Sequence, residues 1–361
     1  MNPNLQTLRA LGQSLWLDNI TRAMLDDGSL ARHIAEWGLT GLTSNPTIFD
    51  EALSKSDAYD DGIREKAAAG LRGEALFIDL ALEDLRRAAD LFRPAHEASD
   101  GVDGWVSMEL SPLLADDTAG SVAAAKKVHA QAQRDNLFVK IPGTPAGVAA
   151  IEESIFEGVP INVTLLFSAD QYIAAAEAYL RAIERRLEAG RSPVVASVAS
   201  LFVSRWDKAV VDKVPAELHN RLGIAVAQKT WRAYRDLFAS DRWRRLEARG
   251  ARVQRLLWAS TGTKDPNASD TLYASALAAP DTIDTLPDKT LAAFADHGKV
   301  DSVLDGDDGS ATLRRFADAG IDVDALGRQL QQEGADAFTK SWHHLLDGIE
   351  AKVASLQAAK A

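Results

Sequence analysis

The sequence predicts an α/β protein of repeated strand–helix units around a parallel sheet, and three observations predict it. Short apolar runs recur along the chain, amphipathic helical segments lie between them, and the runs lack the strict apolar–polar alternation of half-exposed strands. Strands covered on both faces, as in a parallel sheet, have that last property.

The apolar runs are Leu15 to Leu17, Val102 to Leu110, Leu137 to Ile141, Ile161 to Phe167, Val194 to Val203 and Val253 to Ala259. After the fourth, Ser168 and Gln171 have the spacing of a capping box, in which each side chain satisfies a backbone N–H at a helix start. Tyr172, Ala176, Tyr179, Ile183 and Leu187 then recur every three or four residues. Arg185 and Arg186 suit the negative end of that helix, and Gly190 closes it. Thr144 caps another helix whose first position is Pro145, with Val148, Ile151 and Ile155 on its buried face and an end near Gly158. The stretch between Asp50 and Asp100 is mostly helical in pattern and reads as an insertion. The tail from Ser310 is helical as well, with Trp342, Leu345, Leu346, Ile349 and Val353 at core spacing, and is expected to pack on the main fold. Residues 1–361 are thus read as one domain.

Such units form either an open doubly wound sheet or a closed barrel, and composition does not choose between them. No GxGxxG follows a strand, and Gly298-Lys299 lacks the upstream glycine of a phosphate loop, which weakens nucleotide binding. A length of 361 residues suits a barrel as one unit. The net charge of −12 opposes nucleic acid or an anionic membrane as partner. The absence of cysteine excludes disulfides, thiolate metal sites and a cysteine nucleophile, and fits a reducing compartment. No leader is visible in MNPNLQTLRALGQS, and no apolar run approaches the roughly 20 residues of a membrane helix. These features predict a soluble cytoplasmic protein, monomer or homodimer, without nucleic-acid or membrane partners. The 7 histidines are dispersed, show no HExxH pattern, and predict no metal site; His343 and His344 are expected at the surface.

Lys140 is the first anomaly, an ammonium within Phe138-Val139-Lys140-Ile141-Pro142. Among apolar neighbours an unpartnered lysine tends to lose its proton and becomes a nucleophile; a lysine that snorkels to the strand end or pairs with a carboxylate is the better account of this segment taken alone. Asp18, Glu109, Asn162 and Thr164 are further polar residues in or beside buried runs, each ordinary as a cap or a satisfied loop residue. Together with Lys140 they point to one site, because the strand ends of a closed parallel barrel converge on one face.

Three stretches, Leu42-Thr43-Ser44-Asn45-Pro46-Thr47-Ile48-Phe49, Phe138-Val139-Lys140-Ile141-Pro142-Gly143-Thr144 and Asn162-Val163-Thr164-Leu165-Leu166-Phe167-Ser168, closely resemble the signature segments of transaldolases in content and order. Trp258 to Lys264 and Asp270 to Tyr273 resemble the longer bacterial branch, without the phosphoglucose isomerase half fused to some members. The resemblance implies a (β/α)8 TIM barrel of class I aldolase type with additional helices. It implies transfer of a dihydroxyacetone unit between phosphorylated sugars, with no cofactor. Lys140 is then similar to the Schiff-base lysine. Glu109 resembles the acid/base acting through a water also held by Thr164, and Asp18 the base for the C4 hydroxyl. Asn45 and Asn162 resemble the amides that hold substrate hydroxyls. Ser200, Arg205 and Ser260 resemble the phosphate site, although a helix-terminal ion pair of Arg205 with Asp207 fits the bare sequence as well. One departure stands out: many transaldolases place an arginine two residues after that last serine, where this chain has Gly262 and the nearest cation is Lys264. The same barrel and lysine also serve fructose-6-phosphate aldolases, which resemble a shorter chain with tyrosine at the position of Phe202. A catalytically idle barrel that binds sugar phosphates is the other alternative.

Overall fold

A computed structural model describes residues 2–300, 303–304 and 307–358. Its eight strands are β1 (Ser14–Leu17), β2 (Gly41–Thr43), β3 (Trp105–Glu109), β4 (Leu137–Pro142), β5 (Ile161–Leu166), β6 (Ser197–Phe202), β7 (Arg255–Ala259) and β8 (Thr282–Leu286). They are hydrogen-bonded in chain order, all parallel, and β8 returns to pair with β1 through Ser14↔Ile283 to Leu17↔Leu286. The sheet is therefore closed, and the fold is the expected (β/α)8 barrel.

Every apolar run contains a strand. Three runs start early: β3, β6 and β7 begin at Trp105, Ser197 and Arg255, because Val102 and Val194 lie exposed in the preceding loops. Strands β2 and β8 have no such run. The first is only three residues long, and Thr-Ile-Asp-Thr-Leu in the second has three polar residues that break any apolar run.

Alternation along each strand sorts side chains between the barrel interior and the helix layer. At the amino-terminal end of the strands the inward positions are aromatic and aliphatic. Trp105 and Phe138 stack at 4.0 Å, Trp16 lies 6.2 Å from Phe138, and Val198, Leu257 and Ile283 complete the plug. Gly41 is required here, because a Cβ at that position would stand 2.6 Å from the Trp16 ring and from the Trp105 carbonyl. One level up, the interior turns polar with Ser107, Lys140, Asn162 and Ser200. Val139, Ile141, Val163 and Ala199, the alternate residues, pack outward against helices.

Capping side chains fix the turns that follow the strands. Ser168 Oγ accepts the Gln171 N–H at 3.1 Å, while Gln171 Oε1 accepts the N–H of Phe167, one residue earlier than in the standard box, at 2.7 Å. Thr144 Oγ1 accepts the Gly147 N–H at 3.1 Å and donates to the Ala115 carbonyl at 2.8 Å. Tyr172, Ala176, Tyr179 and Ile183 are buried as expected, whereas Leu187 and Val148 are only half-buried.

Between β2 and β3 run the helices Pro46–Lys55, Asp60–Ala68 and Gly73–Ala98, the last of which packs on β3. After the barrel come Ser310–Asp318 and the 36-residue helix Val323–Ala358. At 1.5 Å per residue the latter is about 54 Å long, enough to cross from β5 to the helices ahead of β3. It buries Trp342 edge-on against Phe77 at 5.1 Å, and Leu345, Ile349 and Val353 below it; Leu346 is half-buried, and His343 and His344 are exposed.

Asp284 is fully buried on the outward face of β8, level with Leu15 and Trp258, and neither of its oxygens has a hydrogen-bond partner among the described residues. Burial pushes its carboxyl up to about 7. The unfolded chain gives up this proton near 3.8 and the folded protein near 7, so Asp284 costs stability progressively as pH rises through that window. Asp284→Asn, which mimics the neutral acid, is expected to raise Tm at pH 8 and to leave it unchanged near pH 4. Thermal unfolding followed by circular dichroism across that range checks it; an offset independent of pH would refute it.

Candidate active site

Strand register builds the centre of the site. Glu109, Lys140 and Asn162 are Cα partners abreast on β3, β4 and β5, so all three face the interior at one level. Lys140 Nζ stands 2.7 Å from Glu109 Oε2 and donates to the Ser44 carbonyl at 3.0 Å, with Lys140 5% and Glu109 6% exposed. The lysine is thus paired with a carboxylate, one of the two readings its segment allows, rather than isolated among apolar groups. Val139 and Ile141 point outward, and the neighbours that matter are a carboxylate and a carbonyl from other strands.

Asn162 is wholly buried. Its Nδ2 donates to Ser107 Oγ at 3.2 Å, and its Oδ1 accepts the Ser200 hydroxyl at 2.7 Å. The one proton of Ser200 is thus committed to Asn162 rather than offered to an anion. Thr164 Oγ1 is buried without a partner among the described residues, and Glu109 Oε2 receives no well-angled hydrogen bond. A buried hydroxyl left unsatisfied costs about 1–3 kcal/mol, and Thr164 Oγ1 is available to a molecule entering beside Lys140, while Glu109 Oε2 is held by the lysine.

A cavity of about 120 Å³ opens above the lysine and is lined by Asp18, Asn45, Lys140, Thr164, Ser200, Phe202, Arg205, Ser260 and Lys264. It widens into a cleft of about 660 Å³ along the helix Pro46–Lys55, with Asp18, Asn45, Arg205 and Lys264 common to both. Nearly all residues expected from the sequence are therefore brought together. Glu109 and Asn162 lie behind the lining, in contact with Lys140 and Ser200 respectively. Asn45 is the cap of Pro46–Lys55: its Oδ1 accepts the Ile48 N–H at 3.1 Å, which turns the amide nitrogen toward the cavity.

Asp18 accepts the Thr43 hydroxyl at 2.8 Å, and Thr43 is bonded to Thr285 at 2.7 Å. Burial holds the Asp18 carboxyl above its ordinary range, opposed by the Thr43 hydrogen bond and the charge of Lys140. Burial also raises Glu109, against the pull of Lys140. Two carboxyl groups poised to exchange protons thus flank one amine.

At the cavity mouth the charges are positive. Arg205 lies over the Phe202 ring at 5.2 Å, with no carboxylate within ion-pair distance among the described residues. Asp207 is engaged elsewhere, accepting from the N–H groups of Leu222 and Gly223 and from the Tyr273 hydroxyl, which removes the ion-pair alternative. Burial lowers the Arg205 guanidinium, and burial followed by the nearby Arg205 charge lowers the Lys264 amine. A Cβ placed on Gly262 would stand 3.3 Å from Pro287 Cγ, 3.6 Å from Thr290 Oγ1 and 3.7 Å from Lys264 Nζ, so the lysine head lies close beside position 262. Ser260 holds a left-handed φ of +56° and bonds Ser204 at 3.0 Å. Among the described residues no group of three or more His, Cys, Asp or Glu side chains converges to hold a metal, and no helix is long and apolar enough to cross a membrane.

Sequence reasoning passed over Thr43, Thr285, Pro287 and Phe338, all of which line the cavity. Thr43 sat inside a quoted motif and could have been found there. Phe338 comes from the carboxy-terminal helix and carried only a core signal.

A closed parallel barrel with a buried lysine–glutamate pair under a cationic mouth at the carboxyl ends of its strands defines the class I aldolase type of enzyme. Residues 15–349 match the family Transaldolase/Fructose-6-phosphate aldolase, and the chain belongs to it. It is 43% identical to the transaldolase of Mycolicibacterium smegmatis across 99% of both chains. Against the transaldolase of Thermobifida fusca it is 43% identical across 98% of this chain and 100% of that one, and against transaldolase 2 of Nostoc punctiforme 39% across 97% of both.

Thr43→Val keeps the shape but removes the hydrogen bond that favours ionised Asp18, so the Asp18 carboxyl rises further. The acid limb of the kcat–pH profile is expected to move to higher pH; a profile superposable on wild type would separate Asp18 from that limb.

Proposed function

We propose that the chain is a transaldolase, reversibly moving a dihydroxyacetone unit from sedoheptulose 7-phosphate to glyceraldehyde 3-phosphate to give erythrose 4-phosphate and fructose 6-phosphate. This is a transfer of aldehyde or ketone residues within the non-oxidative pentose phosphate pathway, placed in the cytoplasm. The observation that carries it is the buried Lys140–Glu109 pair, with Asp18 over the same cavity and the cations Arg205 and Lys264 at its mouth. The whole chain is read as one catalytic barrel domain, with the helical stretch around 50–100 and the helices from about 310 as additions.

In this reading Glu109 takes a proton from the Lys140 ammonium, and the freed amine adds to the ketose C2 carbonyl. Glu109 returns that proton as the C2 hydroxyl leaves as water, with the Thr164 hydroxyl bonding the water. The resulting iminium is the electron sink. Asp18 removes the C4 hydroxyl proton, the C3–C4 bond breaks, and its electron pair moves to nitrogen to leave an enamine on Lys140; general base assistance of this kind contributes about 10² to 10⁴ in rate. The aldose departs, a second aldose enters, and the steps reverse. Asn45 and Asn162 orient the hydroxyls of the three-carbon unit, the latter with Ser200 bonded to it. Arg205, Lys264 and Ser260 hold the phosphate, Lys264 being the cation beside Gly262. Phe202 offers the enamine no acidic hydroxyl, which supports transfer over the release expected of a fructose-6-phosphate aldolase.

Borohydride reduction with fructose 6-phosphate present is expected to leave an adduct on Lys140. Lys140→Ala should keep the circular dichroism spectrum and lose transfer by at least about 10³-fold; appreciable turnover would reject the assignment. Wild-type enzyme should consume fructose 6-phosphate only when erythrose 4-phosphate is supplied, and consumption without it would indicate an aldolase.

The phosphate role of Lys264 has its own signature. An amine with a lowered pKa loses its charge at lower pH than an ordinary lysine, so KM for the phosphorylated donor should climb early on the alkaline side. Lys264→Arg should flatten that rise, and Lys264→Ala should raise KM about tenfold near neutrality with kcat little changed. A KM indifferent to both changes would remove Lys264 from the phosphate.

A further inference from the structure

The carboxy-terminal helix Val323–Ala358 contributes a residue to the reaction chamber. Phe338 lines both the inner cavity above Lys140 and the outer cleft, and so stands at the neck where they meet, together with Asp18, Asn45, Arg205, Lys264 and Pro287. It is 6% exposed and belongs to one apolar cluster with Phe202, Phe167 and Leu165. Three features hold it there. Gln331 Nε2 donates to the Gly143 carbonyl at 2.9 Å and to the Leu165 carbonyl at 3.0 Å, tying the helix to the ends of the strands that carry Lys140 and Thr164. Gly334 lets the helix approach closely, since a Cβ there would meet Leu165 Cδ2 at 2.9 Å and Arg205 Nη1 at 3.2 Å. Trp342, one turn further along, is buried.

We propose that Phe338 is a specificity-determining residue that partitions the lysine-bound three-carbon intermediate between an incoming aldose and water. The proposal rests on the transaldolase reading above. In the side reaction, the enamine C3 takes a proton from water, hydroxide adds to C2 of the iminium, and the C2–N bond breaks as nitrogen regains a proton. One water is consumed, and free dihydroxyacetone and the Lys140 amine are released. Between departure of the first aldose and arrival of the second, a phenyl ring at the neck denies that water a path and offers it no hydrogen bond. An aldose, held by its phosphate at Arg205 and Lys264, has binding energy with which to pass the ring; water has none.

The test uses the full-length enzyme with fructose 6-phosphate, measuring dihydroxyacetone released without acceptor against sedoheptulose 7-phosphate formed with erythrose 4-phosphate. Phe338→Ala is expected to raise the ratio of release to transfer about tenfold, and Phe338→Leu, which keeps part of the wall, about threefold. An unchanged ratio in both variants, whether the two rates hold or fall together, overturns the proposal, because a merely structural loss lowers both. If Phe338→Ala fails to fold by circular dichroism, the Phe338→Leu ratio decides by the same criterion. Failure of the underlying reading looks different: the wild-type enzyme would then show no acceptor-dependent transfer at all.

Discussion

An ammonium and a carboxylate held 2.7 Å apart inside a barrel, each about one-twentieth exposed, set the terms for everything around them. Removing two ions from water costs several kcal/mol apiece, and their mutual attraction recovers that only with good geometry and further hydrogen bonds. The chain supplies both. Register on β3 and β4 puts Glu109 and Lys140 side by side, and the Ser44 carbonyl accepts a hydrogen bond from the lysine. A well-packed apolar pair would fill the same space at no loss of stability, so the ion pair is costly as architecture and useful as chemistry. The barrel interior divides accordingly. The aromatic plug of Trp16, Trp105 and Phe138 seals the amino-terminal end and excludes solvent from below, while the polar level above it holds the groups that exchange protons.

The same division explains what could be read from the sequence. Apolar runs located β1 and β3 to β7 because parallel strands are covered on both faces. The three residues of β2, and β8 with its polar Thr282, Asp284 and Thr285, carry no such signal. Closure itself was illegible from pattern, since it depends on Ser14 to Leu17 meeting Ile283 to Leu286, a pairing that leaves no trace in local composition. Lys140 was legible as an anomaly and its surroundings were not. Its sequence neighbours face the helix layer, and its spatial neighbours come from β2, β3 and β5. Motif resemblance gathered residues that pattern could not, and the cavity brings most of them together. It said nothing of Thr43 bonded to Asp18, of Ser200 bonded to Asn162, or of the reach of the carboxy-terminal helix.

Unfavourable local states gather at this end of the barrel. Leu165 and Ser260 adopt left-handed backbone conformations without being glycine, each of order 1 kcal/mol or more, and β5 carries a register irregularity between Val163 and Leu166. Thr164 is buried unsatisfied, and Arg205 and Lys264 share a cavity with the Asp18 carboxylate without either forming an ion pair among the described residues. None of this strain is needed to close a barrel. It is tolerated because the plug, the capped turns at Ser168 and Thr144 and the helix layer hold the strands where they are, and the Thr164 hydroxyl, Arg205 and Lys264 are groups that a polar, anionic ligand would partner.

The carboxyl ends of parallel strands present a further problem, which the last helix answers. The backbone carbonyls of Gly143, just past β4, and of Leu165, within the irregular step of β5, each need a donor if the mouth is to be covered rather than wet. One side chain, Gln331, supplies both. A helix that docks by satisfying strand ends must lie close across them, and Gly334 permits that closeness. Once it lies there, the residue one helical turn further along, Phe338, has nowhere to go but over the chamber. The tail thus becomes part of the site as a geometric consequence of completing the barrel's hydrogen bonds, and the apolar cover of the chamber and the order of the strands carrying Lys140 and Thr164 depend on the same contact.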